Sequence, residues 1–317
     1  MEKKWILLII LWIVLLGGCT SPNPIDTGNP VDFQHRTTVF TMQAPGNWKQ
    51  VQDAAPTEAL GIFSDPTGEA SIVAYAGLLD RRLEDEEGLT IVGQLASTLL
   101  RDPADYRVTE QRRHPDGTFE VRFTFSRSEQ KFTGRAIFRD TDLTLSGVIM
   151  EGPEQNWSSL ETALSPYVDS FRIDPEVVRA AYFDILEDIY YILVVPIDWP
   201  QQRGVDGVEI QSRNQRMSIL LVQENLGQAI DPAALADQAA ASLRRSFRLV
   251  AKVTASEKLA DGRLRVTLDE GDQRILGFVE QFDTHFVGLF FKIPSDRAED
   301  YQPFMDFVYS TYISGLP

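Results

Sequence analysis

The stretches TTVFTMQAPGNW (37–48) and YYILVVPIDW (190–199) carry one pattern: an extended apolar run, a proline that stops it, and Pro-x-x-Trp, with Trp48 and Trp199 151 residues apart. Proline has no backbone N–H to give to a sheet ladder, so each run reads as a strand ending at Pro45 or Pro196. Outward from this pair the agreement continues. Short alternating runs follow at 59–63 and 70–75 in the first copy and at 207–210 and 217–222 in the second. An amphipathic helix is predicted over 89–101, where Val92, Leu95, Ala96 and Leu99 share one face, and its counterpart over 232–247. Hairpins come next: Pro115-Asp116-Gly117 joins 106–113 to 118–125, and Asp261-Gly262 joins 249–259 to 263–268, with glycine supplying the positive φ of each turn. Strands at 131–139 and 143–150 match 273–281 and 285–292. A closing helix carries Leu160, Leu164, Tyr167, Val168 and Phe171 on one face, and Tyr301, Met305, Val308, Tyr309 and Tyr312 repeat that face at an offset of 141. The offset slides from 151 to 141 only across predicted loops, as it does in a duplicated unit.

Each unit therefore reads β-β-β-α-β-β-β-β-α, an antiparallel sheet covered by helices, in the α+β class. The units are placed at 32–175 and 188–317, joined over 176–187 by a short helix suggested by Val177, Val178, Ala181 and Leu186. Each has its own sheet, helices and apolar faces, so each half is expected to fold alone. With 43% apolar residues and 18 phenylalanines, the chain can bury substantial cores.

The first thirty residues read as an address. Lys3 and Lys4 precede twelve apolar residues from Trp5 to Leu16, a run of signal-peptide length and short for a membrane span. Leu16-Gly17-Gly18-Cys19 resembles the bacterial lipobox, in which a branched apolar residue and two small ones precede the cysteine that receives lipid. The resemblance implies that residues 1–18 are a lipoprotein signal peptide and that Cys19, the only cysteine, carries the acyl chains; two or three chains anchor a protein stably. TSPNPIDTGNP (20–30) is rich in proline and poor in apolar residues, so a tether is expected over 19–31. The expected location is the extracytoplasmic face of the cell membrane or of an outer membrane, since Thr20 is not the aspartate that often signals inner-membrane retention. A lipidated Cys19 leaves no disulfide, and both units stand on packing. A formal net charge of −16 repels phosphate backbones and anionic headgroups, which argues against nucleic acid as a partner and leaves membrane affinity to the lipid.

The Pro-x-x-Trp after the first strand, the two short strands, the mid-chain helix, the antiparallel meander and the closing helix together resemble the PsbP-like fold, over 37–173 and again over 190–314. That resemblance implies a bacterial lipoprotein of two tandem PsbP-like domains with a binding or accessory role. No partner-contacting residue carries over from it.

Catalytic motifs are lacking: the sequence has no G-x-S-x-G, P-loop or G-x-G-x-x-G. Ser128-Glu129-Gln130-Lys131 has S-x-x-K spacing but falls in a predicted turn, without the S-D-N and K-T-G partners that acylating serine enzymes need. His35, His114 and His285 fall in a tether, a hairpin and a strand with no ligand spacing, so neither metal nor cofactor is expected. Glu84-Asp85-Glu86-Glu87 lacks the alternation of a calcium loop and suits the dipole of the helix that follows. The Arg112-Arg113 and Arg244-Arg245 pairs read as surface charge. Trp48 and Trp199, one per unit, either line a ligand cleft between the units or plug the ends of their own cores. The loops at 77–88 and 225–231 occupy equivalent positions, and only the first is heavily charged; Arg81, Arg82, Glu84 and Glu86 are its candidate partner contacts, expected to lie outside any core. The leading expectation is a non-catalytic lipoprotein that binds or scaffolds another envelope protein. A small-molecule or ion-binding protein using the interdomain cleft is the alternative, and an unrecognised hydrolase the third.

Overall fold

The computed structural model describes residues 25–141 and 143–315, so Cys19 and the signal peptide lie outside the described residues. The first half runs β1 (Pro30–Gln34), β2 (Phe40–Pro45), β3 (Lys49–Ala55), β4 (Glu58–Ser64), β5 (Ser71–Leu78), α1 (Asp85–Leu99), β6 (Ala104–Arg113), β7 (Thr118–Arg127), β8 (Gln130–Thr141), β9 (Thr144–Pro153), α2 (Trp157–Ser170) and β10 (Arg172–Ile173). After α3 (Pro175–Tyr182) the second half runs β11 (Phe183–Glu187), β12 (Tyr191–Pro196), β13 (Gln201–Arg203), β14 (Gly207–Gln211), β15 (Ser218–Asn225), α4 (Leu235–Phe247), β16 (Lys252–Lys258), β17 (Leu264–Glu270), β18 (Gln273–Phe282), β19 (His285–Pro294), α5 (Ala298–Thr311) and β20 (Ile313–Ser314).

The two halves have one topology. Seven-stranded antiparallel sheets are ordered β3-β4-β5-β9-β8-β7-β6 and β13-β14-β15-β19-β18-β17-β16, and three-stranded sheets β1-β2-β10 and β11-β12-β20. The match extends to single hydrogen bonds: Gln43 N–H donates to Ser170 Oγ at 2.8 Å, and Val194 N–H to Thr311 Oγ1 at 3.1 Å. The chain is thus an α+β protein of two similar antiparallel-sheet units.

Burial explains which strands the sequence shows. Central β9 is buried at every position and β5 at all but its ends, so β5 reads as a continuous apolar run and β9 carries one over 147–150. Outer strands β3 (KQVQDAA), β6 and β16 are mostly exposed and polar, which blunts the sheet edges against pairing with other chains. The same polarity hides β3 and the three-residue β13 from an alternation reading. Asp174 caps α3 by accepting from the Glu176 and Val177 N–H groups, with Pro175 in the first turn. The helix stops at Tyr182, short of the expected 187, because Phe183–Glu187 pairs along β12 instead. The N-terminal stretch also differs from a free tether over 19–31. Ile25 packs on the core, Trp48 Nε1–H donates to the Asp26 carbonyl at 2.9 Å, and β1 begins at Pro30.

Among the described residues the apolar side chains form three layers. One lies between α1 and the first large sheet, around Val92, Ala96, Phe119 and Phe123, and a second between α4 and the second large sheet, around Ala239, Leu243, Phe286 and Phe290. At Gly88 a Cβ would sit 2.1 Å from the Phe119 ring, so α1 needs glycine there to lie this close. The third layer crosses from one half to the other, joining Phe40, Met150 and Leu164 through Val178 and Tyr182 to Tyr191, Ile219, Phe291 and Phe304. Tyr182 is 1% exposed, and its hydroxyl donates to the Ala76 carbonyl on β5 at 2.9 Å. Isolated halves would each open this layer to water, a cost the repeat pattern alone does not reveal.

Candidate functional site

The charged loop between β5 and α1 is docked on the first turn of α5, in the other half. Arg82 N–H donates to the Asp300 carbonyl at 2.9 Å, and Arg297 reaches Glu87 at 3.1 Å and Glu84 at 3.3 Å. Arg81 pairs with Glu87 and lies 6.0 Å from the centre of the Tyr301 ring. The expectation that all four candidate residues lie outside a core is corrected here: Arg81 is 6% exposed, because α5 covers it. Arg82, Glu84 and Glu86 remain exposed.

Beside this loop opens a cleft of about 320 Å³, lined by Arg81, Arg82, Asp140, Leu143, Arg179 and Phe307 among others. The loop brings Arg81 and Arg82, α3 brings Arg179, and α5 brings Phe307. Asp140 accepts the Leu83 N–H at 2.8 Å; burial holds its carboxyl above the usual range against the pull of Arg113, Arg82 and Arg81. Trp199 borders a separate recess of about 180 Å³ with Arg81, Asp80, Arg213 and Asn214. There Asn214 donates to Asp80 at 3.1 Å, Thr57 donates to Asp198 at 3.0 Å, and Arg213 bridges Glu58 and Asp198, so polar bonds stitch the halves together.

The two tryptophans have different surroundings: Trp199 borders the recess between the halves, and Trp48 lines neither that recess nor the cleft. Trp48 is fixed by its bond to Asp26, and Trp199 stacks on Phe304 at 5.0 Å between ring centres. His35 is buried, with Nε2 3.0 Å from the Asp53 carbonyl, which corrects its expected place in a tether. His114 pairs with Glu120 at 2.6 Å, and His285 stacks on Tyr190. Ser128 and Glu129 have positive φ in the β7–β8 turn, not the helical geometry that an S-x-x-K nucleophile uses. Among the described residues no group of three His, Cys, Asp or Glu side chains converges as a metal site.

A surface that the sequence reading misses lies on the second small sheet. Ile185 faces Val194, Glu187 faces Ile192, and Ile192 faces Ile313 in register, so these five side chains share one face. Ile185 is 65% and Ile313 55% exposed, with Ile192 and Val194 half-buried between them. The same register in the first half places Asp32 opposite Gln43, Gln34 opposite Thr41, and Thr41 opposite Arg172. One scaffold thus carries a polar face in one copy and an aliphatic face in the other. Comparison of the two copies along β1 and β11 could have found it, but 183–187 reads in the sequence as part of a linker helix.

No protein-family model matches the chain, and no curated protein is similar to it. Among solved structures it is similar to cyanobacterial PsbP from Synechocystis sp. PCC 6803, at 13% identity and a TM-score of 0.36, covering 50% of this chain and 99% of that one. It is also similar to a point mutant of protein Mog1, at 12% identity and a TM-score of 0.35, covering 48% of this chain and 100% of the other. A third is LpqN, involved in cell envelope biogenesis of Mycobacterium tuberculosis, at 10% identity and a TM-score of 0.32, covering 46% and 91%.

Proposed function

We propose that this protein is a lipid-anchored, non-catalytic accessory protein of the cell envelope, built from two tandem PsbP-like units, which docks another envelope protein on the aliphatic face of its second small sheet. The observation that carries this reading is the replacement of Asp32, Thr41, Gln43 and Arg172 by Ile185, Ile192, Val194 and Ile313 at matching register positions. Water solvates the first set well. The second set gains about 25 cal/mol for each Å² that a partner covers. Glu187 on the same face calls for a partner surface that is apolar with a basic residue at its edge.

A photoreactive amino acid placed at 185 or 313 is expected to give one recurrent adduct with a second protein in intact cells. The same probe at 32 or 172 is expected to give none. The adduct should vanish when Ile192→Thr and Val194→Gln are added. Equal adducts from both faces, or adducts containing only copies of this chain, would overturn the docking reading.

The anchor rests on Leu16-Gly17-Gly18-Cys19. Cells fed a clickable fatty acid are expected to label the wild-type protein, and Cys19→Ala is expected to abolish the label and leave the precursor uncleaved or free of the membrane. An unlabelled wild-type band would exclude lipidation.

A further inference from the structure

We propose that the cleft between the β5–α1 loop and α5 binds a small organic oxyanion, a carboxylate or a phosphate monoester, whose apolar part lies against Phe307. This does not depend on the docking surface above.

The chain carries a formal charge of −16, yet among the described residues this cleft gathers three guanidinium groups, from Arg81, Arg82 and Arg179, against one carboxylate, Asp140. Asp140 is already engaged by the Leu83 N–H, and burial favours its neutral form. Glu87 balances Arg81 from behind, but neither Arg82 nor Arg179 has a carboxylate within 4.0 Å among the described residues. A guanidinium left in this state presents a fork of N–H donors that matches carboxylate and phosphate oxygens. The cleft holds about 320 Å³, a small-molecule volume, and Leu143, Pro303 and Phe307 give it an apolar wall beside the arginines. Arg179 lies 5.8 Å from the centre of the Phe307 ring, so an oxyanion on that guanidinium places its attached group along the ring.

Position adds a constraint. The lining comes from three places, Arg82 from the loop of the first half, Arg179 from the helix that joins the halves, and Phe307 from the second. The docked loop and the shared core fix the backbone that carries these groups before a ligand arrives, which limits the ordering cost of binding to the side chains.

Isothermal titration of the purified protein with phenyl phosphate, benzoate and inorganic phosphate tests the proposal. One-to-one binding is expected for phenyl phosphate or benzoate, with inorganic phosphate weaker, and the tighter of the two aromatic probes identifies the oxyanion. Arg82→Ala and Arg179→Ala are each expected to weaken binding about tenfold, since a hydrogen bond to a charged group is lost. Both side chains are exposed, so their melting temperatures should match the wild type. Arg203→Ala, an exposed arginine on β13, should change nothing. No binding of either aromatic probe, or binding that both cleft variants leave intact, would overturn the site. Equal affinity for phenyl phosphate and inorganic phosphate would remove the Phe307 wall from it.

Discussion

Tyr182→Ala is expected to destabilise the protein by about 3–5 kcal/mol, the range for removing a large aromatic side chain from a packed core. Tyr182 ends the helix that joins the two halves, is 1% exposed, and sits where the apolar layers of both halves meet. Its ring fills that meeting point, and its hydroxyl ties the end of the joining helix to Ala76 on a central strand of the first half. Tyr182→Phe keeps the ring and loses the bond, so it should cost only about 1 kcal/mol. Urea unfolding of both variants separates the contributions. A Tyr182→Ala loss below about 1 kcal/mol would mean that the junction is a surface contact rather than a core.

Arg127→Ala is expected to cost about 3–5 kcal/mol at neutral pH, because it leaves a buried carboxylate without its counter-charge. Glu151 is 2% exposed and accepts from Arg127 Nη2 at 3.0 Å and Ser71 Oγ at 2.7 Å. Burial already pushes the Glu151 carboxyl up, and Arg127 and Ser71 only partly restore it. Without Arg127 it should rise further. A carboxyl raised in the folded state binds its proton more tightly there than in the unfolded chain, where it titrates at about 4.3. The variant's extra destabilisation therefore grows as pH climbs from the wild-type folded value through the variant's higher one, and shrinks on acidification. Arg127 also covers Phe125 and Phe132, so a smaller packing loss should persist at low pH. Urea titrations at about pH 4.5 and about pH 7 should show the larger deficit at the higher pH; equal deficits would assign the whole effect to packing.

Much of this architecture is legible in the sequence because it is written twice. Pro45 and Pro196 end equivalent strands, and the 141-residue offset of the closing helices reappears in the register of β10 and β20. What local pattern cannot carry is contact across the halves. Arg81 looks like a solvated loop residue until α5 arrives from more than 200 positions away to cover it. Tyr182 looks like the end of a linker until β5 is placed beside it. The edge strands β3 and β13 escape notice because their outer positions face water and need no alternation. The aliphatic face of the second small sheet is hidden for another reason: FDILE is as compatible with a helix as with a strand, and its pairing is decided by β12.

The claim on which the rest stands is that two copies of one unit are fused through a common core and not merely linked. Differential scanning calorimetry of the intact protein tests it most directly. A single transition is expected, with equal calorimetric and van't Hoff enthalpies, which Tyr182→Ala moves as a whole to lower temperature. Two resolved transitions, with Tyr182→Ala shifting at most one of them, would contradict it.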